Sequence, residues 1–74
     1  MMINCINRII VFIDNRKKVL TRGEFKENRI GMDSEIRLFL KKSMAINYLE
    51  ETYSFDENSY EFVEVKITYE LINK

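Results

Sequence analysis

FVEVKITYELI, Phe62 to Ile72, is the stretch whose reading decides the fold. Val63, Val65, Ile67, Tyr69 and Leu71 alternate there with Phe62, Glu64, Lys66, Thr68 and Glu70. A period of two sends the apolar set to one face of a strand and the mostly charged set to the other. β-Branched and aromatic side chains favour such a strand. It needs a neighbour, and the N-terminal stretch offers one. Across Ile3 to Ile13, the residues Ile3, Cys5, Ile9, Val11 and Ile13 share one face; Ile6, Ile10 and Phe12 share the other with Asn4 and Arg8. A strand apolar on both faces belongs at the centre of a sheet or in an interface. Asp14-Asn15-Arg16-Lys17 supplies turn formers, and alternation resumes from Val19 to Phe25, with Gly23 a candidate bulge. This reads as a β-hairpin.

Gly31-Met32-Asp33-Ser34 precedes a stretch without Pro or Gly, and the pattern predicts one long helix from Glu35 to about Thr52. Asp33 or Ser34 is the expected cap, and Glu35 suits the positive end of the dipole. Asp56-Glu57-Asn58-Ser59 is the following loop. A right-handed crossover then lays the last strand beside the free side of the first. The expected fold is α+β (ββαβ), a three-stranded antiparallel sheet in the order 2-1-3 with one long helix packed on one face. No repeat or linker interrupts residues 1–74, which read as a single domain.

The chain has 74 residues, 12 basic and 12 acidic, with one Cys and no His, Trp or Pro. So small a chain buries only about 60% of its unfolded surface and is marginal alone. Cys5 cannot form an internal disulfide, which points to a reducing, cytoplasmic setting. A structural zinc site needs about four N or S ligands and lacks them, and no cofactor is expected. The apolar run Ile9–Ile13 is far short of the roughly 20 residues of a spanning helix. Asp14-Asn15-Arg16-Lys17-Lys18 follows that run where a secretory signal would place charge before it, so neither a membrane partner nor a signal is expected. Residues 1–42 hold ten basic and five acidic side chains, and residues 43–74 hold two and seven. Such a dipole could offer a basic face to an anionic partner.

Phe, Tyr, Met, Ile, Asn and Lys supply 37 residues, whereas Gly, Ala, Arg and Pro supply eight. These are the residues of AT-rich and GC-rich codons respectively. In composition and size the chain resembles small uncharacterised proteins encoded by phages and prophages of AT-rich bacteria such as Bacillus. The resemblance rests on no motif and transfers no functional residue.

Catalytic parts are missing. Cys5 and the serines have no His to act as base, so Cys5 reads as core filler and Ser34 as a cap. Gly23 and Gly31 stand alone, and no phosphate-binding loop can be written. Asp56-x-Asn58 opens like a calcium loop, but Glu61 stands where Gly is required and Ile67 where Glu is required. The chain is therefore expected to be no enzyme.

Company is the stronger signal. The sheet face away from the helix is expected to carry Ile6, Ile10, Phe12, Leu20 and Phe62. Within the helix, Ile36, Phe39 and Leu40 point one way at about 100° per residue, and Ala45, Leu49 and Tyr53 the other. Met44, Ile46 and Tyr48 lie to either side. Either the helix breaks near Ser43 or it packs on two things. An apolar patch of that kind marks an interface, and a two-fold homodimer needs only one self-complementary patch. The expected function is a non-enzymatic, homodimeric interaction or regulatory protein. Its interface is expected to draw on Ile6, Ile10, Phe12, Leu20, Phe62, Met44 and Tyr48, with a further protein as partner. The alternative is a nucleic-acid-binding regulator that uses Arg8, Arg16, Lys17, Lys18 and Arg22, although a sequence pI of about 6.3 is low for that role.

Overall fold

In the computed structural model, residues 2–54, 56 and 58–71 are described. Ile72 and Glu57 of the expected strand and loop lie outside them. Four strands form one antiparallel sheet: β1 (Met2–Ile13), β2 (Lys18–Leu20), β3 (Phe25–Glu27) and β4 (Tyr60–Leu71), in the order β3-β2-β1-β4. The α+β class and the central place of β1 match the sequence; the strand count does not. The single strand expected from Val19 to Phe25 is broken by a turn at Thr21–Glu24. The Thr21 hydroxyl accepts the Glu24 N–H at 3.2 Å and donates to the Glu24 carbonyl, and the Thr21 N–H donates to that carbonyl at 3.0 Å. A buried threonine whose hydroxyl and N–H together close three bonds locally outcompetes a continued ladder. The chain reverses and Phe25 pairs back on Leu20.

The long helix is also corrected. A single 3-10 turn, Asp33–Glu35, is followed by extended backbone, and α1 runs only from Lys42 to Thr52. Residues 36–39 are held against strands: Arg37 N–H donates to the Leu20 carbonyl at 3.0 Å, and Ile9 and Phe39 exchange both backbone bonds at 2.8 and 3.0 Å. The opposed apolar directions of Ile36/Phe39 and Ala45/Leu49 are thus met by ending the helix. Neither Asp33 nor Ser34 caps α1, whose first turn follows Lys41 without a side-chain bond.

Sheet register explains the core. The turn at residues 14–17 sets Ile13 opposite Lys18 and Phe12 opposite Val19, so Leu20 shares a face with Val11. That face also carries Phe62, opposite Val11, and packs on Ala45 and Leu49 of α1. The expectation that Leu20 and Phe62 lie on the face away from the helix is therefore wrong. The far face is partly covered as well. Met32 is buried against Ile10 and Val19, with Phe12, Ile36 and Val65 around them. The crossover segment, freed from the helix, forms this second layer.

Both layers stop near Ile9. Beyond it β1 and β4 continue as a two-stranded stem, with unbroken pairing from Arg8↔Val65 to Met2↔Leu71. The molecule measures 47 × 26 × 19 Å and its radius of gyration is 13.9 Å, against about 11 Å for a compact chain of this length.

Candidate interaction surface

The stem has two unlike faces. Ile6 opposite Ile67 and Arg8 opposite Val65 form the apolar one, which continues into Ile10 and Val63. Ile6, Val65 and Ile67 are half-buried. The other face is polar. Cys5 Sγ lies 3.6 Å from Thr68 Oγ1, and Asn7, Lys66 and Glu64 follow, all exposed. Cys5 is thus an exposed free thiol and not core filler; the mixed pattern of its strand could not show where the layers end.

β4 is the outer strand, paired with β1 over all 12 of its residues. In an antiparallel ladder, a residue directs its N–H and C=O to one side, and neighbours alternate. Ile9 gives both groups to Phe39, so they point away from β4. Glu64, opposite Ile9, therefore directs its own pair to the outer edge, as do Phe62, Lys66 and Thr68. Among the described residues, none of these outward groups has a backbone partner in the chain.

The interface residues read from the sequence are dispersed. Leu20 is fully buried and Ile10 is 8% exposed, so both belong to the core. Phe12 is half-buried on the far face under the Arg16 guanidinium, 5.7 Å from the ring centre. Phe62 lies on the helix face beneath Lys42, 5.1 Å away. Ile6 sits on the stem. Tyr48 and the exposed Met44 border an open cleft on the helix side of about 630 Å³, where Arg37 stacks on Tyr48 at 4.2 Å and on Phe39 at 5.5 Å. That stack was not read from the sequence, because it needs residues 36–39 extended.

The basic residues do not form one finger. Arg16 pairs with Glu61 across the sheet, its Nη2 and Nε donating at 2.6 and 2.8 Å. This contact holds the Glu61 carboxyl below its usual range and the guanidinium above its own. Lys17 and Lys18 are exposed beside it. Arg8 sits five residues before the end of β1, about 17 Å along the strand, and donates to the Asn7 carbonyl at 2.8 Å. Arg22 is exposed in the β2–β3 turn.

A second open cleft, about 740 Å³, lies between the turn after β1 and the start of β4 and is lined by Phe12, Phe25, Tyr53, Tyr60 and Glu61 among others. Burial lifts the Tyr53 phenol above its ordinary value, and its ring lies 5.5 Å from Phe25. Asp56 holds the entry to β4, accepting from Asn58 N–H and Ser59 Oγ, both at 3.1 Å. Among the described residues no group of three acidic, Cys or His side chains could hold a metal, and no helix is long and apolar enough to cross a membrane. Comparison of the chain with protein-family models, with curated proteins and with solved structures found no match.

Proposed function

We propose that this chain is a non-enzymatic interaction module that works as a homodimer, with the β1–β4 stem as the contact between copies. The observation that carries this reading is the stem itself. A two-stranded ribbon is marginal at best in water, and this one extends past both layers that cover the rest of the sheet. The chain exposes 5791 Å², whereas a compact protein of 8.9 kDa exposes about 4,800 Å². A second copy is the economical cover, because a two-fold contact uses one patch twice. Docking to a further protein then falls to the apolar surface that remains, including Leu38, Leu40 and Met44, each more than 40% exposed.

The lone exposed thiol of Cys5 suits a reducing, cytoplasmic setting, and the AT-rich residue usage suits a phage or prophage origin. The nucleic-acid alternative is weaker, since Arg16 is engaged by Glu61 and Arg8 is remote from the hairpin tip. Sedimentation equilibrium tests the reading. A mass twice that of the chain at micromolar concentration supports it, and a mass of one chain throughout the accessible range rejects it.

A further inference from the structure

We infer that two copies pair edge to edge through β4, antiparallel, about a two-fold axis at Val65, so that Glu64 of each copy faces Lys66 of the partner subunit. The pairing presupposes the homodimer proposed above and fixes which edge and which register it uses.

The phase of the ladder comes first. The outward backbone groups of β4 are those of Phe62, Glu64, Lys66 and Thr68, so only registers that oppose two of these residues can form hydrogen bonds. Few such registers lie near the middle of the strand. Centring on Glu64 sets that carboxylate against its own copy, and centring on Lys66 sets ammonium against ammonium. Centring on Val63 places Phe62 against Glu64. Centring on Thr68 sets Lys66 against Glu70 but pairs only residues 65–71 of the strand; among registers that pair more of it, centring on Val65 alone opposes unlike charges, twice, by symmetry. It also sets Phe62 against Thr68 on the polar face and Val63 against Ile67 on the other, with Val65 on Val65. Unlike charges and apolar pairs directly opposite stabilise a sheet, while like charges destabilise it. Glu64 and Lys66 are both exposed, and neither enters an ion pair among the described residues.

The edge is also unguarded. Strands that must stay single carry a proline, a bulge or a short length. β4 has 12 residues, the chain has no proline, and the β1–β4 register runs without a bulge. Lysine can itself guard an edge, but one placed two residues from a glutamate about this axis meets the opposite charge. The other edge of the stem is shorter, since β1 is covered from Ile9 onward, and its one charge, Arg8, has no acidic residue of β1 to face across a two-fold axis. The result is a continuous eight-stranded sheet.

Sedimentation velocity on the full chain and its charge variants tests this. Glu64→Lys and Lys66→Glu each replace two attractive pairs with two repulsive ones, and each should weaken the dimer about tenfold. An equimolar mixture of the two variants should recover it, and so should the double exchange Glu64→Lys/Lys66→Glu. Circular dichroism checks folding; if either variant fails to fold, Glu64→Gln and Lys66→Gln replace them, with a several-fold loss expected. A wild-type dimer unmoved by these exchanges, or tightened by Lys66→Gln, overturns the register while leaving the homodimer. A monomeric wild type overturns both.

Discussion

Ile9 and Phe39 exchange both of their backbone hydrogen bonds, at 2.8 and 3.0 Å, although neither lies in a helix and only Ile9 belongs to a strand of the sheet. This pair ends the inner edge of β1, anchors the segment leading into α1, and sets which backbone groups of β4 look outward. Phe39 is 7% exposed and packs in the cluster with Val11 and Leu49. Phe39→Ala should therefore cost about 3–5 kcal/mol, most of the stability of a small domain. Urea denaturation would register it as a large fall in midpoint.

Thr21 is the buried polar residue that splits one expected strand into two, at 2% exposure. Thr21→Val keeps the shape and removes the hydroxyl, leaving the Glu24 N–H without its acceptor. The expected loss is about 1–3 kcal/mol, and Thr21→Ser should recover most of it. Equal stability in the Val variant would mean that the turn does not depend on that oxygen.

Asp14, Asn15 and Arg16 all have positive φ, 58°, 55° and 67°. Asp and Asn tolerate this region, but a long side chain does so at a cost. Arg16 stays there because Glu61 holds its guanidinium and the Asn28 side-chain amide donates to its carbonyl at 3.2 Å. An exposed ion pair contributes little, so relief of the backbone should win. Arg16→Gly is expected to raise the melting temperature by about 4 °C.

The same pair gives an acid dependence. Arg16 holds the Glu61 carboxyl below its ordinary value, so the contribution of the pair is complete above the usual carboxylate range. It fades as pH falls through the lowered value. Glu61→Gln should then be slightly less stable than wild type at neutral pH and converge with it in acid. Melting curves across pH 2–7 would show a constant gap if the pair were irrelevant.

α1 opposes its own dipole, with no acidic residue in the first turn and no basic residue in the last. Packing of Ala45 and Leu49 therefore carries it. Glu50 is exposed near the C-terminal end, and Glu50→Lys should stabilise the protein by about 0.3–1 kcal/mol at low salt. The gain should shrink as salt is added.

What could be read from residues alone follows from where the physics is local. β4 and the turn at Asp14–Lys17 announce themselves by alternation and turn chemistry, and over the described residues both stand where expected. Glu35 to Leu40 has no breaker, so the pattern overextends the helix at its start; what holds Phe39 out of it is the backbone of Ile9, about thirty residues away. The third β-strand was missed because Thr21 looks like any strand threonine until its hydroxyl finds Glu24. Leu20 was placed on the wrong face because register depends on how many residues the turn holds. The stem, and the β4 edge it exposes, depend on where the covering layers stop, and periodicity carries no record of that.

Hydrogen exchange resolved by residue along β4 tests the edge pairing most directly. Amides of Val63, Val65 and Ile67 bond to β1 and should be protected at any concentration. Those of Glu64, Lys66 and Thr68 should exchange quickly in dilute protein and become protected as concentration rises, together and to the same degree. If those three amides exchange at solvent-exposed rates while the protein sediments as a dimer, β4 is not where the copies meet.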